Sequence, residues 1–340
     1  MQPDWKNILL QQGFLELTKT LENKAIDVVS WKVNDNTKVS LLASGILLVE
    51  PFDTSGVCDL VISSGVHGNE TAPIEIVDRL VAKILTQDLV VRNRVLLIIG
   101  NPVAMNLSQR FDIENMNRLF NGHHVGKNHH EAIRAAQLEN MVSDFFVAGT
   151  ATERRHYDLH TAIRGSKYSK FAVYPFPDGR DWSKPQLEFF LASGINTVLL
   201  GHQPSGTFSY FSSHRFNAHA FTVELGKVKP FGENNPEDFA LIEDNLAKLI
   251  SDEAVNSKPF DNSDFNLFAV KQELVKHSEE FSLNIADDLE NFSDFKRGFQ
   301  LSNDGEHSYI VEQDGEAIVF PNAKIPIGQR AGLIVEKTDI

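Results

Sequence analysis

Over the first 250 residues, apolar positions follow two alternating rhythms. Dense runs of aliphatic and β-branched residues occupy 39–50 (VSLLASGILLVE), 60–64, 94–100 (RVLLIIG), 156–160, 171–174, 196–200 and 220–225, and these read as strands. Between them, apolar residues recur at three- and four-residue spacing over 4–22, 71–85, near 131–146 and over 237–250, the spacing of amphipathic helices. Thr71 is placed to cap one of these, and Pro73 falls in its first turn, where a missing N–H costs nothing. Strands alternating with helices predict an α/β fold, a mostly parallel or mixed sheet with helices on both faces. Functional groups in such sheets collect on loops beyond the carboxyl ends of the strands.

The rhythm changes past residue 251. SDEAVNSKPFDNSD forms a polar hinge around Pro259, and short strand-like pieces such as FSLNIAD, EAIVFPN and AGLIVEK follow, separated by Gly, Asn and Asp. The expected organisation is an α/β domain over 1–255 and a smaller β-rich C-terminal domain over 256–340. No internal repeat is present.

Charge and composition narrow the classes. A net charge of −14 argues against non-specific binding to nucleic acid or anionic lipid, so an anionic substrate needs a local basic cluster. No apolar run approaches the roughly 18 residues of a membrane span. The N-terminal stretch, with Asp4 and Lys6, lacks the layout of a secretory signal. The single cysteine, Cys58, has no base beside it and reads as core; the reducing cytoplasm is the expected compartment.

Candidate chemistry sits in a few places. Gly65-Val66-His67-Gly68-Asn69-Glu70 joins a buried strand to a helix, where His67 and Glu70 can aim at one point. Imidazole nitrogen and carboxylate oxygen suit zinc, although a loop histidine beside a capping glutamate has the same spacing. His160 ends a strand with Asp158 on its face, and can serve as a third metal ligand or as a hydrogen-bonded strand-end histidine. Glu224 lies inside an apolar strand, where a carboxylate is costly unless it is paired or used; next to a metal it can work as general base. Arg110, Asn117 and Arg118 share a polar loop after a buried strand and fit a carboxylate clamp, or a solvated loop. His123, His124, His129 and His130 suggest a second metal, with a solvated loop the favoured reading.

Taken in order, GxHGNExxP, NPxAxxxxxR, NxNRxF, DLH and VELG resemble the succinylglutamate desuccinylase and aspartoacylase family, relatives of the zinc carboxypeptidases. The likeness runs through most of 40–230 and resumes at 318–335. It implies a carboxypeptidase-like mixed central sheet with a smaller β domain partly covering the site. It also implies one zinc ion held by His67, Glu70 and His160, with Glu224 as general base and Arg110 polarising the scissile carbonyl. Asn117 and Arg118 would grip the amino-acid carboxylate; Arg215 is the nearest arginine before the base, and Arg164, Lys167 and Lys227 are further cations for other carboxylates. The activity implied is zinc-dependent hydrolysis of N-succinyl-L-glutamate to succinate and L-glutamate in arginine catabolism. Two other classes stay open: another N-acyl amino acid hydrolase or a zinc carboxypeptidase, and a non-catalytic binding protein on a decayed hydrolase scaffold.

Overall fold

The computed structural model describes residues 4–53 and 56–340, so the first three residues of the stretch read for a signal lie outside it. In chain order the elements begin with α1 (Trp5–Gln12), α2 (Phe14–Leu21), β1 (Val29–Asn34), β2 (Thr37–Ala43), β3 (Ile46–Pro51) and β4 (Cys58–Ser64). Next come α3 (Thr71–Leu85), β5 (Arg94–Ile99), α4 (Pro102–Asn106), α5 (His130–Ala148), β6 (Glu153–Ala162) and β7 (Phe171–Tyr174). Then follow α6 (Lys184–Ala192), β8 (Thr197–Leu200), α7 (Phe208–Phe216), β9 (His219–Lys227) and α8 (Ala240–Ile250). The remainder is β: β10 (Asn266–Val275), β11 (Ser282–Leu283), β12 (Ser293–Asp294), β13 (Ser302–Asn303), β14 (Ala317–Val319) and β15 (Arg330–Lys337).

The predicted elements differ from these in instructive ways. The expected helix over 4–22 is two helices broken at Gly13, whose φ of 90° no continuing helix adopts. The second is capped from a distance, the Asp78 carboxylate accepting the Leu15 N–H at 2.9 Å. The run 39–50 is not one strand but the hairpin β2–β3, turning at Ser44 and Gly45. Helix α7 escapes a periodicity search because Phe208 to Ser213 are all buried, so it shows no polar stripe.

Among the described residues, thirteen strands form one mixed sheet in the order β1-β2-β3-β5-β4-β6-β9-β7-β8-β10-β15-β14-β12. Its centre is the parallel set β5, β4, β6 and β9, with β7 antiparallel to β9. One face packs Leu60, Ile62, Tyr157 and Phe221 against Leu80 of α3, Phe190 of α6 and Leu246 of α8. The other packs Val61, Ile98 and Ala220 against Leu138 and Phe146 of α5 and Phe208 of α7. Strands covered on both faces read as continuous apolar runs, which is why these are legible.

Two consequences position the chemistry. The carboxyl ends of β4, β6 and β9 lie side by side, so the loops leaving them meet at one edge. The β-rich C-terminal region does not float free: β10 pairs in parallel with β8 from Asn266↔Thr197 to Ala269↔Leu200, then runs on and pairs with β15. That region has its own apolar centre of Leu274, Phe281, Leu301, Tyr309, Ile318 and Ile334. Among the described residues, no helix is long and apolar enough to cross a membrane.

Candidate active site and metal centre

The chain leaves β4 at Ser64 and reaches α3 through Gly65 to Glu70. Gly68 is fixed as glycine by close approach: a Cβ there would stand 2.1 Å from the Met105 nitrogen. Its own N–H donates to the Arg110 carbonyl at 3.1 Å, tying the loop to the segment that carries Arg110. From this turn the buried side chains of His67 and Glu70 meet that of His160, which rises from the end of β6. The Nδ1 atoms of His67 and His160 are 3.2 Å apart, and each lies 2.9 Å from a different oxygen of Glu70. Two oxygen-flanked imidazole nitrogens at such distances form a group that can hold a metal ion.

What aims these nitrogens is a set of further hydrogen bonds. His67 donates from Nε2 to Asn115 Oδ1 at 2.9 Å, and His160 from Nε2 to Asp158 Oδ2 at 2.9 Å. Both rings therefore present Nδ1 to the shared point, as ligating histidines do when an acceptor holds the other nitrogen. Behind Asp158 the directions are equally determined. Ser63 donates to Asp158 at 2.6 Å and so accepts from His156 Nε2 at 2.8 Å, while Ser212 donates to His156 Nδ1 at 2.7 Å. Burial pushes His156 down to about 4, which keeps that ring neutral, as the chain requires.

Electrostatics divides the two candidate ligand histidines. Burial, with Arg110 nearby, pushes His67 down to about 4. Burial also opposes charge on His160, but the Asp158 and Glu70 carboxylates outweigh it and hold its pKa well above the usual range. Burial works against Glu70 too, yet His67, His160 and Arg110 keep its carboxyl well below the usual value. Replacing Asp158 with Asn keeps the shape of this chain and removes the charge. Metal affinity should fall about 10–100-fold, the usual cost of losing such a partner, as competition with a chelator will measure.

Glu224 reaches the same point from β9. The parallel register sets His160 beside Glu224, so their side chains share a face. Burial and the nearby Glu70 charge push Glu224 up to about 7. Among the described residues its buried Oε2 has no hydrogen-bond partner, a costly state for a carboxylate oxygen that no reactant meets.

The basic residues are distributed unevenly. Arg110 pairs through Nη1 with Glu70. The loop carrying it is held by the fully buried Glu131, whose carboxylate accepts from the backbone N–H groups of Asp112, Ile113 and Glu114 at 2.6–3.0 Å. Asn117 turns its Oδ1 to the Phe208 N–H at 2.9 Å, which leaves its NH2 facing away from α7. Burial and two like charges, Arg330 and Arg110, push Arg118 down to about 9. Its side chain still reaches solvent, and a guanidinium with that pKa stays charged at neutral pH. Arg164, two residues past β6, keeps Nη1 buried without a partner among the described residues. Lys167 is paired with Asp294 at 2.6 Å, and Lys227 is exposed at the end of β9.

Arg215 is not brought to this cluster. It lies exposed in the last turn of α7, just before the chain enters β9 at His219, which pairs with Arg155. Glu224 is five residues further on, about 16 Å at strand rise. The histidines at 123, 124, 129 and 130 form no second metal group among the described residues; His129 serves as N-cap of α5 and contacts Glu114 at 3.1 Å. His214 contacts Asp178 at 3.1 Å. Cys58 is buried core, and burial pushes its thiol up to about 12. Sequence reasoning gives no role to Asn115, Ser63, His156 or Glu131. A signal for one exists: His156, Asp158 and His160 alternate on one face of a buried strand, where polar groups must satisfy one another.

Comparison with known proteins follows the same lines. Residues 57–250 match the succinylglutamate desuccinylase/aspartoacylase catalytic domain, and 263–338 match the AstE/AspA barrel-sandwich hybrid domain. The chain is 47% identical over 338 residues to a succinylglutamate desuccinylase of Pseudoalteromonas atlantica, covering 98% of this chain and 96% of that one. It is 45% identical to one from Shewanella amazonensis, with 95% of each covered. The crystal structure of the succinylglutamate desuccinylase from Chromobacterium violaceum superposes with a TM-score of 0.86 at 38% identity, covering 96% of this chain and 98% of that one. With both units matched in order and relatives alike from end to end, this chain belongs to the succinylglutamate desuccinylase/aspartoacylase family.

Proposed function

We propose that the chain is a zinc-dependent amidohydrolase that splits N-succinyl-L-glutamate into succinate and L-glutamate, as a step of arginine breakdown in the cytoplasm. The observation that carries this is the buried meeting of His67, Glu70 and His160 beside the unpartnered oxygen of Glu224, in a chain so similar to proteins named for that reaction.

Zinc fits the donor set. Ligand distances of about 2.0–2.2 Å around a tetrahedral ion separate neighbouring ligand atoms by about 3.4 Å, and here they stand 2.9–3.2 Å apart before any ion has spread them. When bound, zinc supplies a Lewis acid that polarises the amide carbonyl and makes water a stronger acid.

The chain's own groups do the rest. Glu224 takes the proton of the attacking water on its free Oε2 and returns it to the departing glutamate nitrogen. Arg110, held at Glu70 by its loop, places positive charge where the carbonyl oxygen becomes negative. Asn117 and Arg118 grip the amino-acid carboxylate, and the unpartnered Nη1 of Arg164 fits another carboxylate of the substrate. Residues 256–340 form the β-rich domain that partly covers this site, and residues 1–255 the catalytic one.

The test is a turnover panel with metal analysis, comparing N-succinyl-L-glutamate, N-acetyl-L-aspartate and a C-terminal peptide. Preference for either of the latter two would overturn the substrate assignment. Arg118→Ala should raise KM about 10–100-fold, the value of a charge-assisted pair, with a smaller change in kcat. An unchanged KM would remove Arg118 from the clamp.

A further inference from the structure

The amino acid released in the proposed reaction carries two carboxylates, and Asn117 with Arg118 accounts for one. We propose that Arg330, contributed by the β-rich C-terminal region, is the specificity-determining cation for the second, the side-chain carboxylate of the glutamyl portion. This rests on the substrate reading above and goes beyond it in naming what selects glutamate.

The placement follows from the strand the two regions share. Ala269 of β10 lies level with Leu200, the last residue of β8. Glu273 is four residues further along, about 13 Å past the end of β8; β7 and β8 run opposite to β9, so the loop leaving β8 is what joins this corner to the site. Arg330 starts β15 opposite Val275, and its Nη1 contacts Glu273 Oε1 at 3.2 Å. His202, two residues after β8, brings Nε2 to within 3.7 Å of the same oxygen.

His202 opens the loop that touches the clamp itself. Gly206 accepts from the Phe120 N–H at 3.1 Å, and Phe208 donates to Asn117 Oδ1 at 2.9 Å. Contacts therefore run without a break from Asn117 and Arg118, through residues 202–208, to Glu273 and Arg330. The two guanidiniums feel one another: Arg330 destabilises the charge on Arg118, while Glu273 supports it.

Two arginines close enough to repel one another, with one carboxylate paired to Arg330, are an expensive arrangement unless an anion joins them. Glu273 engages Arg330 through one nitrogen, which leaves the rest of a five-donor fork for a ligand. The Arg330 side chain is 31% exposed, open enough to be reached and covered enough for its charge to count. A dicarboxylic amino acid spanning Arg118 and Arg330 satisfies both. An amino acid with an uncharged side chain leaves Arg330 with Glu273 alone.

The experiment compares kcat/KM for N-succinyl-L-glutamate and N-succinyl-L-glutamine in wild-type enzyme, Arg330→Met and Arg330→Lys. Arg330→Met should lose about 10–100-fold on the glutamate substrate, chiefly in KM, and change little on the glutamine one; Arg330→Lys should recover part of the loss. Equal loss on both substrates, or none on either, overturns the proposal. Metal content and Tm report folding. Should Arg330→Met not fold, the ratio between substrates in Arg330→Lys decides, and an unaltered ratio overturns the proposal. Wild-type enzyme inactive on N-succinyl-L-glutamate would instead defeat the substrate reading, a separate result.

Discussion

Glu224→Gln should keep its metal and its fold while losing about a hundredfold or more in kcat, the range that a positioned general base contributes. The glutamine amide fills the same space beside His160 but takes up no proton. Metal analysis together with steady-state turnover reads this directly, and near-normal turnover would remove Glu224 from the mechanism. A pH profile adds a second mark. Glu224 must be ionised to act, so kcat/KM falls as pH drops through its pKa. Burial and Glu70 raise that pKa from 4.5 to about 7 in the metal-free protein, and a cation at the site draws it down again. The acid limb should therefore lie between those two values in wild-type enzyme and vanish in Glu224→Gln. Stability runs the other way. A carboxyl with a raised folded-state pKa contributes fully below its unfolded pKa and ceases to do so as pH rises through about 7. Without metal, Glu224→Gln should thus melt higher than wild type above pH 7.

His160→Ala should have the other large effect: loss of bound metal, and with it all measurable turnover. The cost extends past the metal. Glu70 and Asp158 are almost wholly buried on either side of the ring, at 2.9 Å each, and without it each loses one partner, leaving Asp158 with Ser63 and Glu70 with His67 and Arg110. Breaking a buried pair costs about 3–5 kcal/mol, and here one ring serves two carboxylates. A chelator applied to wild-type enzyme should abolish activity with a smaller fall in Tm, because the raised pKa of His160 lets a protonated ring stand between those carboxylates. Melting both samples, with metal content measured, separates the two effects. A His160→Ala protein that retains metal would refute the ligand set.

Legibility in the sequence tracks burial and spacing. The strands under both helical layers are readable because a short, unbroken apolar run between turn residues suits a strand covered on both faces. Helix α3 spans the expected 71–85, but Thr71 is its first residue and not its cap: Glu70 takes the N-cap position without a side-chain bond, and the Thr71 hydroxyl donates to the Lys229 carbonyl instead. The break at Gly13 and the hairpin turn at Gly45 are not readable, since a single glycine does not interrupt an apolar pattern. The metal group is visible as residue types on strand ends. Its orientation is not: Asn115 comes from a loop 48 residues from His67, and Ser63 lies 93 residues from His156. Such partners are set by which strands are neighbours, and local pattern does not carry that. Arg215 illustrates the converse, since it is close to Glu224 in sequence yet sits at the opposite end of β9.

Strand β10 has one more consequence. Because it is hydrogen-bonded to β8 on one side and to β15 on the other, the wall bearing Arg330 is built on the same backbone ladder as the floor of the site. Such a wall cannot swing like a jaw without tearing main-chain bonds, so the gap between Arg118 and Arg330 works as a fixed gauge. If Arg330 takes the second carboxylate as proposed, an amino acid one methylene shorter has to stretch or abandon a contact, and the site sorts side chains by length as well as by charge.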